Sequence, residues 1–178
     1  VDGDVLAWMV EHRVVWLTTL FWIVTTLGNT VAMFVLSITG CAVLLRAGRR
    51  PEAVMVGGAM LSGWGLMSLL KLIFGRERPP IPERLVEIST HSFPSGHAMM
   101  SAILATTVTA VLLRSTALWL RNPVVLAIPA VASLAIGFSR IYLGAHWTTD
   151  VLAGWCFGIA WGLLWIYALS VRNRFAVR

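Results

Sequence analysis

"VLAGWCFGIAWGLLWIYALSV", residues 151–171, runs from Asp150 to Arg172 without an acidic or basic side chain. About 20 apolar residues in helical form cross a bilayer's hydrocarbon core, where no water is present to satisfy an unpaired backbone. This stretch meets that requirement. Working outward from it, the same kind of gap recurs. No Asp, Glu, Lys or Arg lies between Arg13 and Arg46, between Glu87 and Arg114, or between Arg121 and Arg140, and Glu52 alone interrupts Arg50 to Lys71. Five spans are expected, at about 19–45, 52–75, 96–114, 123–143 and 149–170. The chain is 58% hydrophobic and 12% charged, against about 25% charged for soluble proteins, which excludes a soluble globular domain. The fold class is all-α: a polytopic membrane helix bundle forming one domain over residues 1–178. Cys41 and Cys156 fall inside spans and are expected to be packing residues, with no disulfide framework.

Short loops set the orientation. If the spans alternate, Arg46, Arg49 and Arg50, then Arg114 and Arg121, then Arg172, Arg174 and Arg178 all fall on one side, which is therefore cytoplasmic. Segments 1–18, 76–95 and 144–148 fall outside. A chain beginning at Val1 on the outer side implies a further membrane helix ahead of it. The net charge of +6 follows from orientation and anion binding, so no nucleic-acid partner is invoked.

The outer border is nevertheless rich in cations: Lys71, Arg76, Arg78, Arg84 and Arg140. Ionisable groups near membrane depth are costly and are usually held by a partner or a substrate. Snorkelling of long side chains to headgroups is the alternative for any one of them. Three segments meet at this border. In "KLIFGRERP", Lys71 and Arg78 are seven apart and share a face if the helix persists until Pro79 stops it. In "SFPSGHAMM", Pro94 and Ser95 suit a helix start, and Gly96 allows close approach to the backbone. A helix beginning there aims free N–H groups at an anion, with His97 beside it; a plain capped helix is the other reading. In "SRIYLGAHWTTDVLAG", His146 and Asp150 are four apart on one helical face. The carboxylate can then hold one ring nitrogen as N–H and leave the other as a nucleophile, or the pair can be a structural cap.

Together these segments gather the parts for phosphoryl transfer, which is mostly positioning and charge stabilisation. Lys71, Arg78 and Arg140 can neutralise phosphoryl oxygens, and backbone N–H groups near Ser95 and Gly96 add donors. His146 can attack phosphorus while His97 protonates the leaving oxygen. No metal is expected. A two-metal centre needs several bridging carboxylates, and Glu77, Glu83 and Glu87 have no ligand-like spacing with the histidines.

These three segments resemble, in order and spacing, the signatures of the type-2 phosphatidic acid phosphatase superfamily: Lys, six residues, Arg-Pro; Pro-Ser-Gly-His; Ser-Arg, five residues, His, three residues, Asp. The resemblance covers about residues 14–170. It implies that His146 is the phosphorylated nucleophile, that Asp150 orients it, and that His97 is the general acid. It implies a phosphate cradle of Lys71, Arg78, Ser95, Gly96 and Arg140, with no metal and no cofactor. The implied function is an integral-membrane lipid phosphatase of the plasma (inner) membrane, with its site on the extracytoplasmic face. Its expected partners are the bilayer and a lipid phosphate: undecaprenyl diphosphate first, then phosphatidylglycerophosphate or phosphatidic acid. The alternative is a lipid phosphotransferase that discharges the same phosphohistidine to an acceptor other than water.

Other features carry smaller expectations. Gly154, Gly158 and Gly162 form a small-residue stripe for helix contact within the chain, or for a homodimer face. Trp8, Trp16, Trp119 and Trp147 are expected as interfacial anchors. Gly57, Gly58, Gly63 and Gly65 make the second span either flexible or closely packed. The loop from Pro80 to His91 is expected to be solvated, with gating of headgroup entry as the alternative.

Overall fold

The computed structural model describes residues 1–80, 84–86 and 88–176. Among them are seven α-helices: α1 (Asp2–Glu11), α2 (Val15–Leu27), α3 (Thr30–Arg46), α4 (Arg50–Phe74), α5 (Gly96–Leu113), α6 (Pro123–Tyr142) and α7 (Thr148–Ala176). Glu83 and Glu87 of the long loop, and Arg178 of the basic tail, lie outside the described residues.

The bundle is all-helical, and α4, α5, α6 and α7 are each long and apolar enough to cross a membrane. Their starts follow local chemistry. Pro51 and Pro123 stand in the first turns of α4 and α6, where a missing N–H costs nothing. Asn122 caps α6 by accepting from the Val124 N–H at 2.9 Å.

The first expected span differs. It is two helices, α2 and α3, meeting at 51°. The break falls at Gly28–Asn29: Asn29 takes an extended conformation and its Oδ1 accepts from the Ala32 N–H at 2.8 Å, starting α3 afresh. Asparagine is among the best residues for that capping role, so the chain gains a cap where it gives up a turn. The Asn29 N–H meanwhile goes to the Thr26 carbonyl at 3.3 Å.

Helix α5 is central, packing on α3, α4, α6 and α7. Its seam with α7 is where the glycine stripe is used. A Cβ on Gly154 would lie 2.8 Å from the Ser95 carbonyl oxygen, and one on Gly158 would lie 2.5 Å from that of Met99. Only glycine lets the two backbones approach so closely. The second span is closely packed at Gly58, against Trp165, and at Gly63, against Ile103 and Trp161, while Gly65 faces open space. Met60, Met99, Met100 and Ile103 fill the centre with no exposure, the unbranched thioethers fitting irregular gaps between helices. Leu61, Leu72, Val124 and Leu118 are among the large apolar side chains on the outside, as a surface solvated by lipid tails allows. Cys156 is exposed on α7, contrary to a packing role, whereas Cys41 is partly buried and its thiol donates to the Ala53 carbonyl at 3.4 Å.

The two ends of the bundle differ in charge. At one end Arg49 donates to the Val111 carbonyl at 3.1 Å and Arg114 to Ser170 Oγ at 3.2 Å, so the three basic segments expected on one side do gather. At the other end, beyond Phe74, the three motif segments converge.

Candidate active site

Helix α4 does not persist to Pro79. It ends at Phe74, with Gly75 in the left-handed region at φ +54°, a conformation glycine adopts without strain. Lys71 therefore stays on the helix while the chain turns back to deliver Arg78 from a loop. Both reach one cavity of about 560 Å³, lined also by Gly96, His97, Arg140 and His146. The two histidines share one space, as the sequence reading required.

His97 projects from the first turn of α5, and the main chain of Thr25, beside the α2–α3 break, is its hydrogen-bond partner. Arg140, on the last turn of α6 and 4% exposed, donates through NH1 to Thr25 Oγ1 at 2.5 Å. Thr25 thus touches the general-acid candidate and one cradle arginine together. Nothing in a mid-span threonine announces that.

His146 sits on the short turn between α6 and α7. Burial pushes its proton affinity well below the ordinary imidazole value of 6.5, and Arg78, Arg140 and Lys71 push it the same way. The ring is accordingly neutral, the state a nucleophile needs. Its Nε2 lies 3.1 Å from Arg78 NH1, inside the cavity. Its Nδ1 faces Asp150 Oδ2 at 3.5 Å, longer than a direct hydrogen bond. Ser92 stands beside them: its Oγ donates to Asp150 Oδ2 at 2.5 Å and lies 3.4 Å from His146 Nδ1. Asp150 also accepts the Trp147 N–H at 3.0 Å and Arg76 NH1 at 2.6 Å. The direct His–Asp hydrogen bond expected from spacing is therefore not made: the ring's hydrogen-bond partner is the main chain of Ser92, and the carboxylate stands behind it, steadied by Ser92 Oγ and Arg76.

The cradle cations rest on main-chain carbonyls. Lys71 Nζ donates to the His91 carbonyl at 2.6 Å, and Arg78 donates to those of Thr90 and Ala145, each at 2.6 Å. The loop before α5 is thus not simply solvated, because its end holds the site's charges. Burial pushes the Arg78 guanidinium down to about 10, with Asp150 opposing, which leaves it charged at neutral pH.

Ser95 departs from expectation in one respect. Its N–H is used, donating to the Asp150 carbonyl at 3.0 Å, so the backbone donors left for an anion begin at Gly96. Its Oγ, fully buried, has no hydrogen-bond partner among the described residues, and neither has Arg140 Nε. Buried donors without partners are rare because each costs free energy, and a phosphoryl oxygen would satisfy both. Trp147 also has contacts within the chain: its Nε1 donates to the Glu77 carbonyl at 3.0 Å and Arg76 lies over its ring. Trp8, Trp16 and Trp119 are exposed.

The family model of the PAP2 superfamily matches residues 52–174. Phosphatidylglycerophosphatase B of Bacillus subtilis (strain 168) is 36% identical over 95 residues, covering 53% of this chain and 46% of that protein. The chain thus spans less than half the length of that relative. Decaprenylphosphoryl-5-phosphoribose phosphatase of Mycobacterium tuberculosis is 32% identical over 139 residues, 76% of this chain and 71% of that protein. Among solved structures, a transmembrane PAP2-type phosphatidylglycerolphosphate phosphatase from Bacillus subtilis matches with a TM-score of 0.84 at 28% identity, covering 92% of this chain and 82% of that one.

Proposed function

The chain belongs to the PAP2 superfamily, and from that premise we propose that it is a lipid phosphatase acting through a phosphohistidine. It releases the terminal phosphate of a polyprenyl diphosphate, or of a phospholipid phosphate such as phosphatidylglycerophosphate or phosphatidic acid. The enzyme sits in the plasma membrane with its cavity on the extracytoplasmic face, opposite the basic end of the bundle. The observation that carries this reading is the shared cavity: His97 and His146 line it with Lys71, Arg78 and Arg140, and its wall continues into Trp64, Met67 and Leu72 of α4. That is a charged pocket for a phosphate opening on an apolar surface for a lipid chain.

The chemistry follows from the contacts. A bound phosphate takes hydrogen bonds from Arg78 and Arg140 and from the first N–H groups of α5, near the positive end of its dipole. Arg78 NH1 then leaves His146 Nε2, whose lone pair attacks phosphorus. As the P–N bond forms, the P–O bond to the lipid breaks and His97, entering the step as imidazolium with one N–H held by the Thr25 main chain, gives the proton on its other nitrogen to the leaving oxygen and becomes neutral. In the second half His97 takes a proton from water, whose oxygen attacks phosphorus. The P–N bond breaks and inorganic phosphate leaves.

The test is phosphate release by the detergent-solubilised chain from undecaprenyl diphosphate, phosphatidylglycerophosphate and phosphatidic acid. Release is expected to be fastest with the polyprenyl diphosphate and to be lost in His146→Ala. A His146→Ala variant with wild-type turnover would rule out the proposal.

A further inference from the structure

We propose that Arg76 is a positioning residue for the attack by His146, and that Asp2 of α1 sets how strongly it acts. The inference rests on the phosphatase reading above. Arg76 is absent from the cavity wall and approaches the site from behind. Its NH1 donates to Asp150 Oδ1 at 2.6 Å and to Thr149 Oγ1 at 2.7 Å, and its NH2 donates to Asp2 Oδ2 at 2.8 Å. Its carbonyl accepts the Ser92 N–H at 2.8 Å. Its guanidinium carbon lies 5.7 Å from the centre of the Trp147 ring. One residue therefore ties α1 and the first turn of α7 together through its side chain and Ser92, ahead of α5, through its carbonyl.

The carboxylate explains why this matters. Asp150 is fully buried, and a buried carboxylate needs a countercharge and filled lone pairs. Arg76 holds Oδ1, while Ser92 and the Trp147 N–H hold Oδ2, the oxygen that faces His146. With Oδ1 anchored, the carboxylate cannot swing Oδ2 away from the ring. A guanidinium presents donors at fixed angles and can bridge two acids, which an ammonium cannot do in the same way.

Asp2 takes the other half of that bridge. Its Oδ2 also accepts from Thr149 Oγ1 at 2.6 Å, and its Oδ1 accepts the Thr149 N–H at 3.0 Å. Burial raises the proton affinity of Asp2, but hydrogen bonds from Thr149 and Arg76 outweigh it and hold the carboxyl below 3.8. Asp2 is thus ionised at neutral pH. A cation shared between two carboxylates pulls less on each, so Asp2 leaves Asp150 more charge to present to His146.

The test uses the full chain in detergent, with Arg76→Met, Arg76→Lys and Asp2→Asn. Arg76→Met lowers kcat about 100-fold with KM within about threefold, because the residue orients without touching substrate; Arg76→Lys restores part of the loss. The second readout needs no turnover: the pH dependence of His146 ethoxycarbonylation by diethyl pyrocarbonate, followed by peptide mass. The groups around His146 are Lys71 of α4, Arg78 and His91 of the following loop, His97 of α5, Arg140 of α6 and Asp150 of α7, and the variants keep all of them. Removing Arg76 leaves Asp150 unshared, favours the imidazolium and moves the midpoint up by about one unit. Asp2→Asn moves it down, and serves alone if Arg76→Met does not fold. Unmoved midpoints, or KM rising in step with the fall in kcat, would overturn the proposal. An unsubstituted chain that releases no phosphate sinks the phosphatase reading instead and leaves the titration to judge Arg76.

Discussion

Replacing Gly158 by alanine tests whether the α5–α7 seam sets the catalytic geometry. The added Cβ would lie 2.5 Å from the Met99 carbonyl oxygen, 2.7 Å from Ala102 Cβ and 3.3 Å from the Ile103 nitrogen. The obstacles include backbone, so no side chain can rotate out of the way. Moving the oxygen from 2.5 Å to an ordinary 3.4 Å contact parts the helices by about 0.9 Å. Overpacking of this kind costs about 1–3 kcal/mol. His97 lies in the first turn of α5 and Asp150 in the first turn of α7, so the displacement reaches the site. A shift of about 1 Å at reacting groups costs about 100-fold in rate, and some of it is absorbed along the helix, so a fall in kcat of about 10- to 100-fold is expected. The assays are thermal unfolding in detergent and phosphate release at saturating lipid. Gly65→Ala is the control: a Cβ there meets nothing within 4 Å, and alanine is the better helix former by about 1 kcal/mol. If Gly158→Ala loses stability and keeps its turnover, the seam holds the fold together without setting the chemistry.

Ser95→Ala removes a buried hydroxyl that has no partner among the described residues, so thermal stability holds or rises slightly, while KM for the lipid phosphate rises about tenfold as one donor to the phosphoryl group is lost. A fall in stability with unchanged KM would assign Ser95 to packing. The pH profile carries a sign. His146 acts as a neutral ring and its proton affinity lies well below 6.5, so the active form persists as pH falls. The acid limb of kcat/KM that belongs to His146 therefore lies below pH 6.5, and a His146 limb above that value, assigned by ethoxycarbonylation, would contradict the neutral-ring account.

The parts of the fold that could be read from sequence were those under one dominant force. Charge-free stretches such as 151–171 declare themselves because a bilayer excludes ions, and α4 to α7 lie where those gaps are. The α2–α3 break does not show in sequence because the apolar stretches on both sides outweigh the polar Gly28–Asn29 pair, and its capping geometry matters only once the chain bends. The cavity residues share a chemistry, so Lys71, Arg78, His97, Arg140 and His146 could be gathered before any coordinates. In sequence Arg76 is one more member of the basic cluster, with nothing to mark its partners. Ser92 and Thr25 act by distance alone, and side-chain type at those positions says nothing about which group each will meet. Lys71 and Arg78 meet for a different local reason than their spacing suggests: a left-handed glycine ends the helix between them, and a loop does the work of helical periodicity.

The elbow at Gly28–Asn29 has a consequence for proton transfer. An unbroken helix would consume the Thr25 carbonyl internally, since lipid leaves no other donor at that depth. Because the Asn29 N–H turns to Thr26, that oxygen faces outward and becomes the partner of the His97 ring. The interruption thereby fixes which imidazole nitrogen carries hydrogen toward the wall and which is turned to the substrate. A sequence that straightened the span would improve the helix and leave the acid's ring without that anchor.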